Sequence, residues 1–239
     1  MTAILFLGLL LGLQHALEAD HLAAVASLST RTDGVRGAVR QGAAWGLGHT
    51  LTLLAFGGIL LLVDQTLPPW AAHALEFSVG LMLVLLGADV LRRAWRQRVH
   101  FHAHNHGDTR HFHAHSHGRG IDHAVDAHRH RHSPRLPLRA LLVGMVHGLA
   151  GTAALLVFAL GSVQSAGQGL AYILVFGLGS IIGMSVLAAA ISLPLRWSAR
   201  RLTWVHNGLT LTFSLLSVSL GALIAERSGG ALWALLPPA

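Results

Sequence analysis

The sequence predicts an all-α polytopic membrane protein with six spanning helices arranged as a 3+3 inverted repeat, and three observations carry that reading. Of its 239 residues, 53% are hydrophobic and 11% charged, with a mean hydropathy of +0.56, a profile of lipid-embedded chains rather than soluble globules. Six stretches are apolar over the roughly 20 residues that a helix needs to cross a bilayer. Among the connections between them, arginine falls only in alternate ones.

The six stretches are residues 3–28, 41–63, 73–93, 138–162, 168–194 and 203–225. The first opens with MTAILFLGLLLGL, which looks like a signal-peptide core, but no basic stretch precedes it and the apolar run continues beyond the length of such a core. It is therefore read as the first span. The connection after it holds Arg31, Arg36 and Arg40, and the one after the third span holds ten arginines from Arg92 to Arg139. Arg196, Arg200 and Arg201 follow the fifth, while the connections after the second and fourth hold none. Basic loops stay on the cytoplasmic side, so this asymmetry predicts both termini on the outer face.

Composition also excludes whole classes of chemistry. With no cysteine, disulfides, thiolate metal sites and thiol catalysis are ruled out. With no lysine, there can be no Walker A loop and no Schiff base. The net charge of +7 is arginine excess, and in loops beside an anionic bilayer it needs no nucleic-acid partner.

The two halves resemble each other. GLQH at 12–15 matches GMVH at 144–147, WGLGHT at 45–50 matches FGLGSI at 176–181, and SVGLMLVLLGADVL at 78–91 can be laid over LTFSLLSVSLGALI at 211–224, at offsets of 132, 131 and about 134. Three spans are an odd number, so a second copy must be inverted in the membrane, the plan of many secondary transporters. The expected organisation is a first three-helix repeat over 1–94, a histidine-rich cytoplasmic loop over 95–137 and a second repeat over 138–239.

That loop holds twelve of the eighteen histidines: His100, His102, His104, His106, His111, His113, His115, His117, His123, His128, His130 and His132. Too few apolar residues accompany them to build a packed core, so a flexible segment that collects metal ions is expected.

The chemistry inside the membrane centres on LGLQHALEADHLAAV, residues 11–25, which sets His15, Glu18, Asp20 and His21 in an apolar run. A carboxylate at the centre of a span costs about 2.5–3.5 kcal/mol even on the lenient insertion scale, so such groups face a pathway and find partners there. Imidazole and carboxylate together suit a divalent first-row transition metal. Counted from the helix ends, His21, His49 and His147 all lie roughly 12–14 Å in from one face. On a regular helix, Asp20 points about 140° and His21 about 240° away from His15. Either an ion meets only some of these residues, or the helix opens near residues 16–19, as broken helices do at transporter sites.

The remaining polar residues have duller readings. His73 and His206, near helix ends, read as interfacial groups, and Asp89 beside Arg92 and Arg93 as a local ion pair. Glu76 either snorkels or admits cations. His147, followed by Gly148, Ala150 and Gly151, is either a ligand or a hydrogen-bonding group at a close helix contact.

At HALEADH, residues 15–21, followed by LAAVASL, the chain resembles the nickel/cobalt transporter family. GLGHT at 46–50 is similar to that family's second histidine motif, and HGLAGTAAL at 147–155 looks like its shorter branch of urease-accessory membrane proteins. The resemblance implies a non-enzymatic secondary transporter of Ni2+ or Co2+ in a bacterial inner membrane. It carries the metal-contacting role onto His15, Asp20, His21 and His49, to which depth adds His147, with Glu18 as the proton-coupling candidate. It implies no resident cofactor, and cytoplasmic nickel chaperones or urease and hydrogenase accessory proteins as partners. The family's main uptake branch commonly has eight spans, whereas this chain has six, and a long histidine-rich loop resembles the efflux branch. Uptake is the expectation, with efflux by the same mechanism as the alternative. A membrane metalloenzyme would need HExxH or clustered histidine boxes, which the chain lacks, and a metal sensor would rest on the loop alone.

Overall fold

The computed structural model describes residues 2–29, 34–63, 67–96, 100–106, 109–115, 137–149, 165–201 and 203–235. Helices α1 (Thr2–His15) and α2 (Ala19–Ser29) form one bent unit, α3 (Val35–Thr52) runs through a π-helical turn (Leu53–Gly57) into α4 (Gly58–Val63), and α5 is Pro69–Arg96. Strands β1 (His100–His106) and β2 (Thr109–His115) follow. Then come α6 (Leu138–Leu149), α7 (Ala166–Arg201) and α8 (Thr203–Ala234).

Four helical stretches are long and apolar enough to cross a membrane: Val35–Val63, Pro69–Trp95, Ala166–Leu195 and Trp204–Ala234. The α1/α2 unit, bent by 57°, makes up to five. Of the span expected over 138–162, the first part is α6 and the rest lies outside the described residues. The helices outrun the apolar stretches. α3 begins six residues before the expected 41 and α8 ends nine after the expected 225, because charged residues at helix ends reach past the hydrocarbon without leaving the helix. Gly34, at φ 130°, supplies the left-handed backbone that starts α3.

Lipid exposure shapes the side-chain distribution. Large apolar residues such as Phe6, Ile59, Leu85, Val186 and Leu215 face outward, whereas Ala16, Ala23, Ala24, His21, His49, Ser180 and Ser217 are buried. Trp70, Trp95, Trp197, Trp204 and Trp233 are exposed near helix ends, where indole rings sit at membrane interfaces. The sixth tryptophan, Trp45, is fully buried.

Packing between the halves is mirrored. A Cβ on Gly12 would collide with the Phe176 carbonyl, and one on Gly144 with the Trp45 carbonyl; Gly179 against Leu9 is matched by Gly48 against Leu141. On α5 and α8, a Cβ on Gly80 would come 2.7 Å from the Gly221 carbonyl oxygen and one on Gly87 the same 2.7 Å from that of Ser214. Small residues let backbones approach this closely where lipid supplies no hydrophobic drive between helices. Two hydroxyls add to the contact: Thr50 Oγ1 donates to the Gly46 carbonyl (2.8 Å) and reaches that of Gly177 on α7 (3.2 Å), while Ser180 Oγ donates to Gly12 on α1 (3.3 Å).

Part of the insert departs from the expected irregular loop. β1 and β2 pair antiparallel, His100 with His115, His102 with His113 and His104 with His111. The physical reason is period: histidine at every second residue is a strand pattern, and it places seven histidine positions on one face of the hairpin. His117, His123, His128, His130 and His132 lie outside the described residues.

Candidate metal centre

The α1/α2 break builds the site. At residues 16–18 the chain changes from i−4 to i−3 hydrogen bonds, Leu17 N–H to Gln14 and Glu18 N–H to His15, before Leu22 N–H to Glu18 restores the helix. Of the two solutions the sequence left open, the chain adopts the opened helix. His15 then ends α1, where the negative end of the helix dipole favours a cation, and Asp20 and His21 open α2. The His15 and His21 ring centroids lie 4.3 Å apart.

Two further helices bring their imidazoles to the same place. His49 sits in the last turn of α3, directly before the π-helical turn, a distortion common at functional sites. Its ring centroid is 5.2 Å from that of His15 and 5.5 Å from that of His21. His147 on α6 lies 4.1 Å from His21 and 6.1 Å from His49 by the same measure. The equal depths read from the sequence correspond to a real cluster.

Hydrogen bonds order this cluster. Asp20 Oδ1 accepts from the His21 backbone N–H and from His21 Nδ1, each at 2.9 Å, and Oδ2 accepts from His147 Nε2 at 2.9 Å. An ionised carboxylate only accepts, so both ring nitrogens carry hydrogen. Glu18, more than half exposed, holds His15 Nδ1 at 2.9 Å in the same way. What is left over is informative. His15 Nε2, His21 Nε2, His147 Nδ1 and both nitrogens of His49 are buried without a hydrogen-bond partner among the described residues. Buried polar atoms are rarely left so. Ligand atoms from His15, His21 and His49 lie within 4.8 Å of one another, as do those from Asp20, His21 and His147.

Aromatic rings flank the cluster. Trp45 stands 5.4 Å from His21 and 5.5 Å from His147, and Phe176 stands 5.3 Å from His15. Neither was singled out from the sequence, although both open the repeated WGLGHT and FGLGSI motifs and so were findable there.

The other candidates meet partners outside this cluster. Asp89 pairs with Arg92 at 3.3 Å and Arg93 at 3.8 Å as expected, and also with Arg139 on α6 at 3.0 Å. Glu76 accepts from Ser228 Oγ at 3.0 Å and lies 3.5 Å from His73. His206 Nδ1 meets the Leu195 carbonyl at 3.0 Å.

Apolar helices around a buried polar cluster define a multi-pass membrane protein. Residues 3–216 match the family described as cytochrome C biogenesis protein transmembrane region, and the chain belongs to that family. It is also similar to the urease accessory protein UreH of Bacillus sp. (strain TB-90), 32% identical over 208 residues that cover 87% of this chain and 83% of that protein. No solved structure matches the chain.

Proposed function

We propose that this protein is a secondary transporter of nickel or cobalt ions, carrying them through the membrane by way of His15, Asp20, His21, His49 and His147. One observation carries the reading: four imidazoles and a carboxylate meet at a helix break, with buried nitrogens that no group among the described residues satisfies. The resemblance of HALEADH to the nickel/cobalt transporter motif supports it, as does a relative named as a urease accessory protein. Nickel and cobalt are cargo, and no resident cofactor is required.

Alternating access would come from two inverted halves, each of three spans, with 138–162 as the sixth crossing. The mirrored glycine contacts support this arrangement, since Gly12 against Phe176 recurs as Gly144 against Trp45, and Gly179 against Leu9 as Gly48 against Leu141. Arginine-bearing loops on the cytoplasmic side put both termini outside, in a bacterial inner membrane. The histidine loop then lies at the inner mouth, where it collects imported ions for nickel chaperones or urease and hydrogenase accessory proteins. Uptake is favoured, with efflux through the same site as the alternative. Metal binding needs imidazoles free of protons, which offers a route to proton coupling, with Glu18 as the exposed carboxylate at the rim.

The test is nickel and cobalt accumulation in cells carrying His21→Ala. Accumulation returns to the vector-only level if the reading holds, falling for an importer and rising for an exporter; wild-type accumulation rejects it.

A further inference from the structure

Resting on that transport reading, we propose that the ion occupies two alternative positions that share His21, one formed by His15, His21 and His49 and the other by Asp20, His21 and His147, and that His21 serves only one at a time. The two groups are separately compact, each with ligand atoms within 4.8 Å, and His21 alone belongs to both. Its ring is 1% exposed, so it meets an ion only inside this cluster.

Imidazole chemistry makes the positions exclusive. A neutral ring has one nitrogen with hydrogen and one with a lone pair. Here Asp20 holds the hydrogen on His21 Nδ1, so the lone pair is at Nε2, which has no partner. Glu18 likewise holds the hydrogen on His15 Nδ1 and leaves Nε2 bare, and both nitrogens of His49 are unpartnered. The three-imidazole position is therefore ready to receive an ion, its tautomers set by carboxylates that do not touch the metal.

The second position is closed by its own hydrogen bonds. For an ion to take it, coordinate bonds from Asp20, His21 Nδ1 and His147 Nε2 must replace the two bonds that Asp20 now accepts. The two displaced hydrogens go to His21 Nε2 and His147 Nδ1, carried by water, with no net change in protons. His21 Nε2 then has no lone pair, and the three-imidazole position is unmade. An ion passes from an uncharged set of ligands to one bearing a carboxylate, and a second ion cannot follow until it leaves.

Cobalt binding tests this in full-length protein whose twelve loop histidines are replaced by asparagine, so that only the membrane cluster binds. One Co(II) per chain is expected. His147→Gln and His49→Gln should each still bind one, with different visible spectra, three nitrogens against two nitrogens and a carboxylate. Each should lose nickel flux in proteoliposomes by roughly tenfold or more, and His21→Gln should bind none. Two Co(II) per chain, superimposable spectra for the two variants, or no binding by either of them while monodisperse would each overturn the proposal. Should glutamine prevent folding, His49→Ala and His147→Ala, which add no bulk, take its place. Wild-type flux in His21→Gln overturns the transport reading itself. Flux lost there, with one shared spectrum in the other two variants, overturns only the paired positions.

Discussion

At the scale of single residues, Asp20 does more than its charge alone suggests. It accepts three hydrogen bonds, two from side chains on different helices, and so fixes both the tautomer of His21 and the approach of His147. Asp20→Asn keeps the shape but replaces one acceptor oxygen with a donor. Outer groups that orient ligands are worth about 10–100-fold in metal affinity. Nickel binding to this variant should weaken by that factor, measured by equilibrium dialysis, while its elution on gel filtration stays unchanged. The identity of these residues was legible in the sequence, because ionisable groups in an apolar run stand out. Their partners were less so. Trp45 and Phe176 entered only as letters of a repeated motif, and the link from Asp89 to Arg139 joins residues fifty apart whose helices no local pattern brings together.

At the scale of elements, the bend between α1 and α2 and the tight contacts of α3 with α6 do the positioning. Gly144 lies against the Trp45 backbone and Gly148 against that of His49, so α6 is seated by the absence of side chains directly below His147. Gly144→Ala would push α6 away from α3. Overpacking of this kind costs about 1–3 kcal/mol, and the variant should show a lower melting temperature together with weakened nickel binding. Helix existence was readable from hydropathy, and helix ends were not, since arginine and tryptophan at the interface are compatible with both a helix and a loop. The opening at residues 16–18 was one of two solutions that ligand angles allowed, and only the i−3 hydrogen bonds decide between them. The hairpin was missed for a different reason. Composition argued against a packed core, and the two-residue histidine period, plain in HFHAHNH, was read as metal affinity rather than as backbone geometry.

At the scale of the whole molecule, several close helix contacts recur with partners exchanged, Gly12 against Phe176 as Gly144 against Trp45 and Gly179 against Leu9 as Gly48 against Leu141. Topology is directly measurable because the chain has no cysteine of its own. Thr66→Cys, in the arginine-free connection, should react with an impermeant maleimide from outside intact cells, and Gly118→Cys, in the histidine-rich insert, only after the membrane is opened. The reverse pattern would turn the molecule over and make the histidines face the exterior.

The bridge between Asp89 and Arg139 has a consequence of its own. It clasps the end of α5 to the start of α6 at 3.0 Å, so the forty-odd intervening residues leave and return at one point. Chain confined in this way keeps each of its groups at an effective concentration on the order of millimolar around its anchor. If the insert binds metal as proposed, an ion released from one histidine would meet another before it escaped to bulk solution.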